Sequence, residues 1–119
     1  MKLAVTSKGQ DLQSDVDPRF GRAAYIIVVD TESLEFEAID NSDNVNAFKG
    51  AGIQAATLMS DKGVSALLTG FCGPNAFKVL KEAGINVANG VEGTVGDAVQ
   101  AFNAGKVAFT DEANADGHW

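Results

Sequence analysis

Five consecutive residues, Tyr25-Ile26-Ile27-Val28-Val29, are aromatic or β-branched without a break. Such a run fits a pleated backbone and no exposed surface, so it predicts a buried strand around which the rest must be arranged. Lys2 to Thr6 is a second short apolar run and reads as the first strand, closed by Ser7-Lys8-Gly9-Gln10 and a polar loop reaching Pro18. A loop of that length in a compact domain is more often functional than a bare connector. After Asp30-Thr31-Glu32-Ser33 the chain turns into Leu34 to Ile39, where Leu34, Phe36 and Ala38 alternate with Glu35 and Glu37. One face of that strand is wet, as expected near a sheet edge.

Beyond this point the periodicity changes. Gly50-Ala51-Gly52 opens a helix through about Asp61, Val64 to Thr69 reads as a strand, and Pro74 to Ala83 as a helix with Ala76, Leu80 and Ala83 on one face. Ile85 to Ala88 is a short strand. Thr94 to Ala104 is the last helix, with Val95, Ala98, Val99 and Phe102 at i, i+3, i+4 and i+7. Thr94 with Asp97 predicts a capping box, and Gly84 and Gly105 stand where helices commonly stop. Hairpin-joined strands followed by β-α-β-α units predict a mixed five-stranded α/β sheet with helices packed on it. At 119 residues with 45% hydrophobic content, one domain spanning residues 1–110 is expected, followed by an acidic, frayed tail at 111–119.

Composition narrows the chemistry. A formal net charge of -7 argues against long polyanions and acidic membranes, which need a broad basic face. No stretch approaches a membrane helix, and the start turns polar too early for a signal peptide, so a cytoplasmic location is expected. The single cysteine, Cys72, excludes an internal disulfide, and with one histidine, His118, no Cys/His zinc site can be assembled. A Ser-His-Asp triad has only His118 to use, and the first strand carries no carboxylate for metal-dependent hydrolysis. The chain therefore reads as a binding protein, not an enzyme.

Ligands of such sheets gather beyond the carboxyl ends of the parallel strands, and three loops there carry candidate residues. The only two arginines stand in Arg19-Phe20-Gly21-Arg22, where guanidinium forks, an apolar ring and a glycine suit an anion with a soft surface. The competing account is that both arginines pair with Asp15 and Asp17 and pin the loop. Gly70-Phe71-Cys72-Gly73-Pro74-Asn75 leads into a helix N-terminus, which binds anions through unpaired N–H groups. A cysteine just before a helix has a depressed pKa favouring thiolate chemistry or ligation, whereas a buried one is inert packing. Lys49-Gly50-Ala51-Gly52 is a further glycine-bearing helix entrance without phosphate-loop spacing. With Asn41 at the head of the preceding polar stretch, these loops supply the expected pocket: Arg19, Phe20, Gly21, Arg22, Asn41, Lys49, Gly50, Ala51, Gly52, Cys72, Gly73, Pro74 and Asn75.

Arg19-Phe20-Gly21-Arg22, Gly50-Ala51-Gly52, Gly73-Pro74-Asn75-Ala76-Phe77 with Ala83-Gly84-Ile85, and Gly93-Thr94-Val95 with Ala104-Gly105-Lys106 occur in an order and spacing that resembles the dinitrogenase iron-molybdenum cofactor biosynthesis family, over roughly Met1 to Val107. The resemblance implies a ribonuclease-H-like fold without nuclease activity and a metal-sulfur cluster as ligand. A small, acidic, free-standing member resembles those that hold a molybdenum-copper-sulfide cluster without covalent attachment. Where cofactor-assembly members use a histidine or cysteine as ligand, this chain has no internal histidine, and only Cys72 is left as a candidate for direct ligation. The resemblance thus implies an anionic molybdenum-sulfur cluster as cofactor and other cofactor-assembly or regulatory proteins as partners. Two other functions fit the same residues: a metal-free docking or regulatory module, and a nucleotide or phosphate-ester binder.

Overall fold

The apolar run at Tyr25 becomes β2 (Tyr25–Asp30), whose inner four residues are all buried. A computed structural model of the chain describes residues 1–41 and 51–110. Its other elements are β1 (Lys2–Ser7), β3 (Phe36–Asp40), α1 (Ala51–Asp61), β4 (Ala66–Leu68), α2 (Pro74–Glu82), β5 (Asn86–Ala88) and α3 (Val95–Asn103). The tail from 111 to 119 lies outside the described residues.

The sheet order is β3-β2-β1-β4-β5, antiparallel between β1 and β2 and between β2 and β3, parallel from β1 through β4 to β5. This is the mixed, ribonuclease-H-like arrangement the sequence implied. Because successive side chains of a strand point to opposite faces, β1 sends Ala4 to one side and Leu3 and Val5 to the other. Ala4, Ile26, Val28, Leu67 and Val87 pack with Ala55, Ala56 and Met59 of α1 and Ala76, Phe77 and Leu80 of α2. Leu3, Val5, Ile27, Val29, Ala66 and Leu68 pack with Val95, Ala98 and Val99 of α3. Two helices on one face and one on the other bury both sides of the central strands.

Several local expectations change. Leu34 is not in a strand: it takes a left-handed conformation (φ 64°) in the β2–β3 turn, and both Leu34 and Phe36 are exposed. α2 buries Ala76, Phe77 and Leu80, while Ala83 caps the helix at the surface. β4 and β5 are shorter than Val64–Thr69 and Ile85–Ala88, their ends being irregular backbone. The capping box forms as expected, with Asp97 N–H donating to Thr94 Oγ1 (3.0 Å) and Thr94 N–H to Asp97 Oδ2 (3.3 Å). Among the described residues no helix is long and apolar enough to cross a membrane.

Candidate functional site

Because β1 and β4 run parallel side by side, the loops that follow them leave from the same sheet edge. Two buried threonines tie these loops together. Thr6 Oγ1 donates to the carbonyl of Asp17 (2.6 Å) and lies 2.9 Å from Thr69 Oγ1. A hydroxyl has one proton, so with Thr6 committed to Asp17 it is Thr69 that donates to Thr6. Beyond this point the loops run alongside each other, with Phe71 N–H donating to Pro18 C=O (2.6 Å) and Phe20 N–H to Phe71 C=O (3.0 Å). A Cβ on Gly70 would sit 2.7 Å from the Cα and carbonyl oxygen of Pro18, so only glycine permits this approach.

The paired loops set the arginine segment. Asp17 is nearly buried, and its carboxylate accepts from the N–H of Arg19 (3.1 Å) and of Ala24 (3.3 Å). Arg19 Nε lies 3.8 Å from the same carboxylate, with the Arg19 side chain still 49% exposed. Asp17 therefore orients Arg19 without covering it, a combination of the two accounts the sequence left open. Gly21 is left-handed (φ 85°), and the amide of buried Asn41 donates to the carbonyls of Gly21 (3.1 Å) and Ala23 (2.8 Å). Asn41 shapes this loop from behind, and Arg22 is half-buried beside it.

Two expectations reverse here. Phe20 does not offer its ring to a ligand, since it is 1% exposed and belongs to the core under α1 and α2. The exposed ring is that of Phe71, bridged to Arg19 across the paired loops. Cys72 is fully buried, and loss of solvent pushes its thiol up to about 12, the opposite of a helix-activated thiolate. Among the described residues no group of three or more His, Cys, Asp or Glu side chains is placed to hold a metal ion.

Helix ends complete the site. A Cβ on Gly52 would lie 2.9 Å from Ala76 Cβ, so the first turns of α1 and α2 are in direct contact. Neither helix has an acidic residue in its first turn, and Gly73 supplies no side-chain cap to α2. Pro74 has no N–H, which leaves the first-turn donors of Asn75 and Ala76 without a side-chain cap. The N-terminus of α3 differs in every respect. Its donors are consumed by the capping box and by the carbonyls of Ser14 and Leu12, which accept from Val95 and Gly96. The long loop after β1 thus closes one helix end, and the partial positive charges of α1 and α2 stay at the edge that carries Arg19. Lys49 and Gly50 lie outside the described residues; Ala51 begins α1. A cleft of about 290 Å³ on the α3 side, bounded by Ala88, Val91, Asp97, Ala98 and Lys106, includes none of these residues.

Asp17, weighed in the sequence as an ion-pair partner of the arginines, also holds the loop backbone; the missed contributors are Thr6, Thr69 and Phe71. The visible signal for them was Gly70, a glycine directly after a strand and before an aromatic residue, which marks a close backbone approach.

Comparison with known proteins agrees with this architecture. The orange protein of Desulfovibrio gigas, in its apo form, superposes with a TM-score of 0.93 at 44% identity, covering 96% of each chain. A NifB-like protein of Thermotoga gives a TM-score of 0.82 at 36% identity, covering 96% of this chain and 97% of that one. An uncharacterized protein of Methanocaldococcus jannaschii is 30% identical over 110 residues, 90% of this chain and 89% of its own. The family model for dinitrogenase iron-molybdenum cofactor proteins matches residues 1–105, and the chain belongs to that family.

Proposed function

We propose that this protein binds an anionic molybdenum-sulfur cluster, in its specific form a molybdenum-copper-sulfide, and carries it without covalent attachment. The observation that carries this reading is half-exposed Arg19 on a loop bridged to the one that leads into α2, whose N-terminus adjoins that of α1; neither helix has an acidic first-turn residue, and α2 has no side-chain cap. Such an edge offers a guanidinium fork, backbone N–H donors and partial positive charge to one anion, inside a chain whose overall charge is negative. Sulfide ligands accept these hydrogen bonds, and the Phe71 ring gives their polarizable surface an apolar contact. The Cys72 thiol, buried and protonated, is a poor source of a metal bond. The cluster's own sulfides then complete its coordination, and the protein's part is to hold and carry it. Arg22 and the Cys72-Gly73 loop are further contacts in this reading, and Lys49, which lies outside the described residues, joins them by its place in the sequence alone.

The test is retention. Wild-type protein loaded with thiomolybdate and copper is expected to keep its colour through desalting, and the Arg19→Ala/Arg22→Ala variant to lose it. Equal retention by the folded variant would sink this assignment.

A further inference from the structure

β3 is an end strand of the sheet, and its edge is not built like the opposite one. At β5 the chain closes its own edge, with Thr110 N–H donating to Val87 C=O. At β3, Asp30 N–H donates to Glu35 C=O and Asn41 N–H to Ala24 C=O. In an antiparallel pair, hydrogen-bonded and non-bonded positions alternate. Glu35, Glu37 and Ile39 therefore bond inward to β2, and the N–H and C=O groups of Phe36 and Ala38 turn outward.

The side chains along this edge sort by charge. Phe36 and Ala38 stand opposite Val29 and Ile27, on the α3 side, whereas Glu37 stands opposite Val28, on the α1 side. Glu35 shares the Glu37 side by alternation. Lys62 Nζ already sits 3.0 Å from Glu37 Oε1, so an ammonium fits there. Three of the six most exposed large apolar side chains among the described residues, Met1, Leu34 and Phe36, gather at this end of the sheet. Their proximity follows from Thr31 N–H donating to Met1 C=O and Leu34 N–H to Asp30 C=O. Leu34 is held left-handed and exposed by that turn, in which Asp30 Oδ1 also accepts from the N–H groups of Glu32 and Ser33. Leucine is an uncommon choice for a conformation that glycine or asparagine takes readily.

We infer that the β3 edge from Leu34 to Ala38 is a docking rail for an extended segment of a partner protein in which basic and apolar residues alternate. Strand addition would pair the outward backbone groups of Phe36 and Ala38. It would set the partner's basic residues over Glu35 and Glu37 and its apolar residues over Phe36 and Leu34. A second copy of this chain fits poorly: antiparallel self-pairing centred on Glu37 places it against itself, and pairing centred on Phe36 places Glu35 against Glu37. Centring on Ala38 sets Phe36 against Asp40. The rail starts at the end of the sheet away from the Arg19 loop and stops three residues short of Asn41, which touches that loop, and the inference stands whether or not a cluster binds there.

The experiment is an NMR titration of the full, isotope-labelled chain with a capped peptide of repeating Lys-Val, and with a Glu-Val peptide as control. The Lys-Val peptide is expected to give saturable shifts at the amides of residues 35–39 and none in the Arg19–Arg22 loop. Glu35→Lys/Glu37→Lys should weaken it by about tenfold or more and favour the Glu-Val peptide instead. Ala38→Pro removes an outward N–H and no β2–β3 hydrogen bond, so it should keep the fold and abolish binding. The inference is overturned by equal affinity for both peptides, by undiminished binding to the charge-reversed variant, or by β3 shifts on dilution of the protein alone, which would mark self-association.

Discussion

Gly70→Ala is the substitution that most sharply tests how the two loops of the site are held together. The new Cβ would lie 2.7 Å from the Cα and carbonyl oxygen of Pro18 and 3.0 Å from Pro18 Cβ. Two of these contacts are backbone, so no side chain can swing away. Relief requires the loops to part, and parting stretches the hydrogen bonds from Phe71 to Pro18 and from Phe20 to Phe71. Each bond contributes about 1 kcal/mol net, and overpacking at a tight contact costs about 1–3 kcal/mol. Reduced freedom of the unfolded chain returns about 0.4–1 kcal/mol. The balance is a loss of about 2–5 kcal/mol, read as a lower urea midpoint at unchanged m-value. Under conditions where the variant remains folded, retention of the cluster should also fall, because Arg19 rides on the displaced loop. A variant within about 0.5 kcal/mol of wild type, the range of an ordinary surface change, would refute the reasoning.

Two further outcomes follow from buried groups. Thr6→Val removes the donor to Asp17 C=O and the acceptor for Thr69, both in the interior, and should cost about 1–3 kcal/mol in urea unfolding; a smaller loss would mean that the threonine pair does not bind the loops together. The Cys72 thiol is raised from 9.0 to about 12 in the folded protein, so between those values the unfolded chain loses a proton that the native state keeps. Its contribution to stability is complete below pH 9 and declines as pH rises toward 12, with a slope approaching about 1.4 kcal/mol per pH unit. The stability deficit of Cys72→Ala should therefore shrink between pH 8 and pH 10.5, and parallel curves for the two proteins would contradict the buried, protonated thiol.

How much of this was legible in the chain depends on the range of the interaction. The order of elements followed from local pattern: Tyr25 to Val29 is incompatible with a surface position, and Thr94 with Asp97 closes a helix within three residues. Alternation in Leu34 to Ile39 placed Phe36 and Ala38 on one face, Glu37 on the other and the strand at an edge, and failed at Leu34, which lies in the turn before the strand. It was silent on whether anything covers that face. α3 packs over the central strands, so Phe36 is left in solvent and Leu34 is drawn into a turn. Phe20 was misjudged for a related reason: its neighbours are arginine and glycine, but its ring fills a gap between β2 and the helices that only the folded chain creates. The loops after β1 and β4 could be placed on one sheet edge from topology alone, while the third, at Lys49-Gly50, lies outside the described residues. What joins them could not, since Thr6 and Thr69 meet across 63 residues and Gly70 meets Pro18 by backbone contact. The reversal at Cys72 comes from its burial, which the local sequence does not show: the thiol is wholly out of solvent, and desolvation raises its pKa.

The central claim concerns what the edge at Arg19 holds, and native metal content tests it most directly. Protein purified under anaerobic conditions from its natural source should contain molybdenum, with copper if the cluster is of the mixed kind, and absorb visible light through sulfide-to-metal charge transfer. That colour should be lost on Arg19→Ala/Arg22→Ala substitution without loss of fold. A colourless, metal-free protein from cells supplied with both metals would contradict the account.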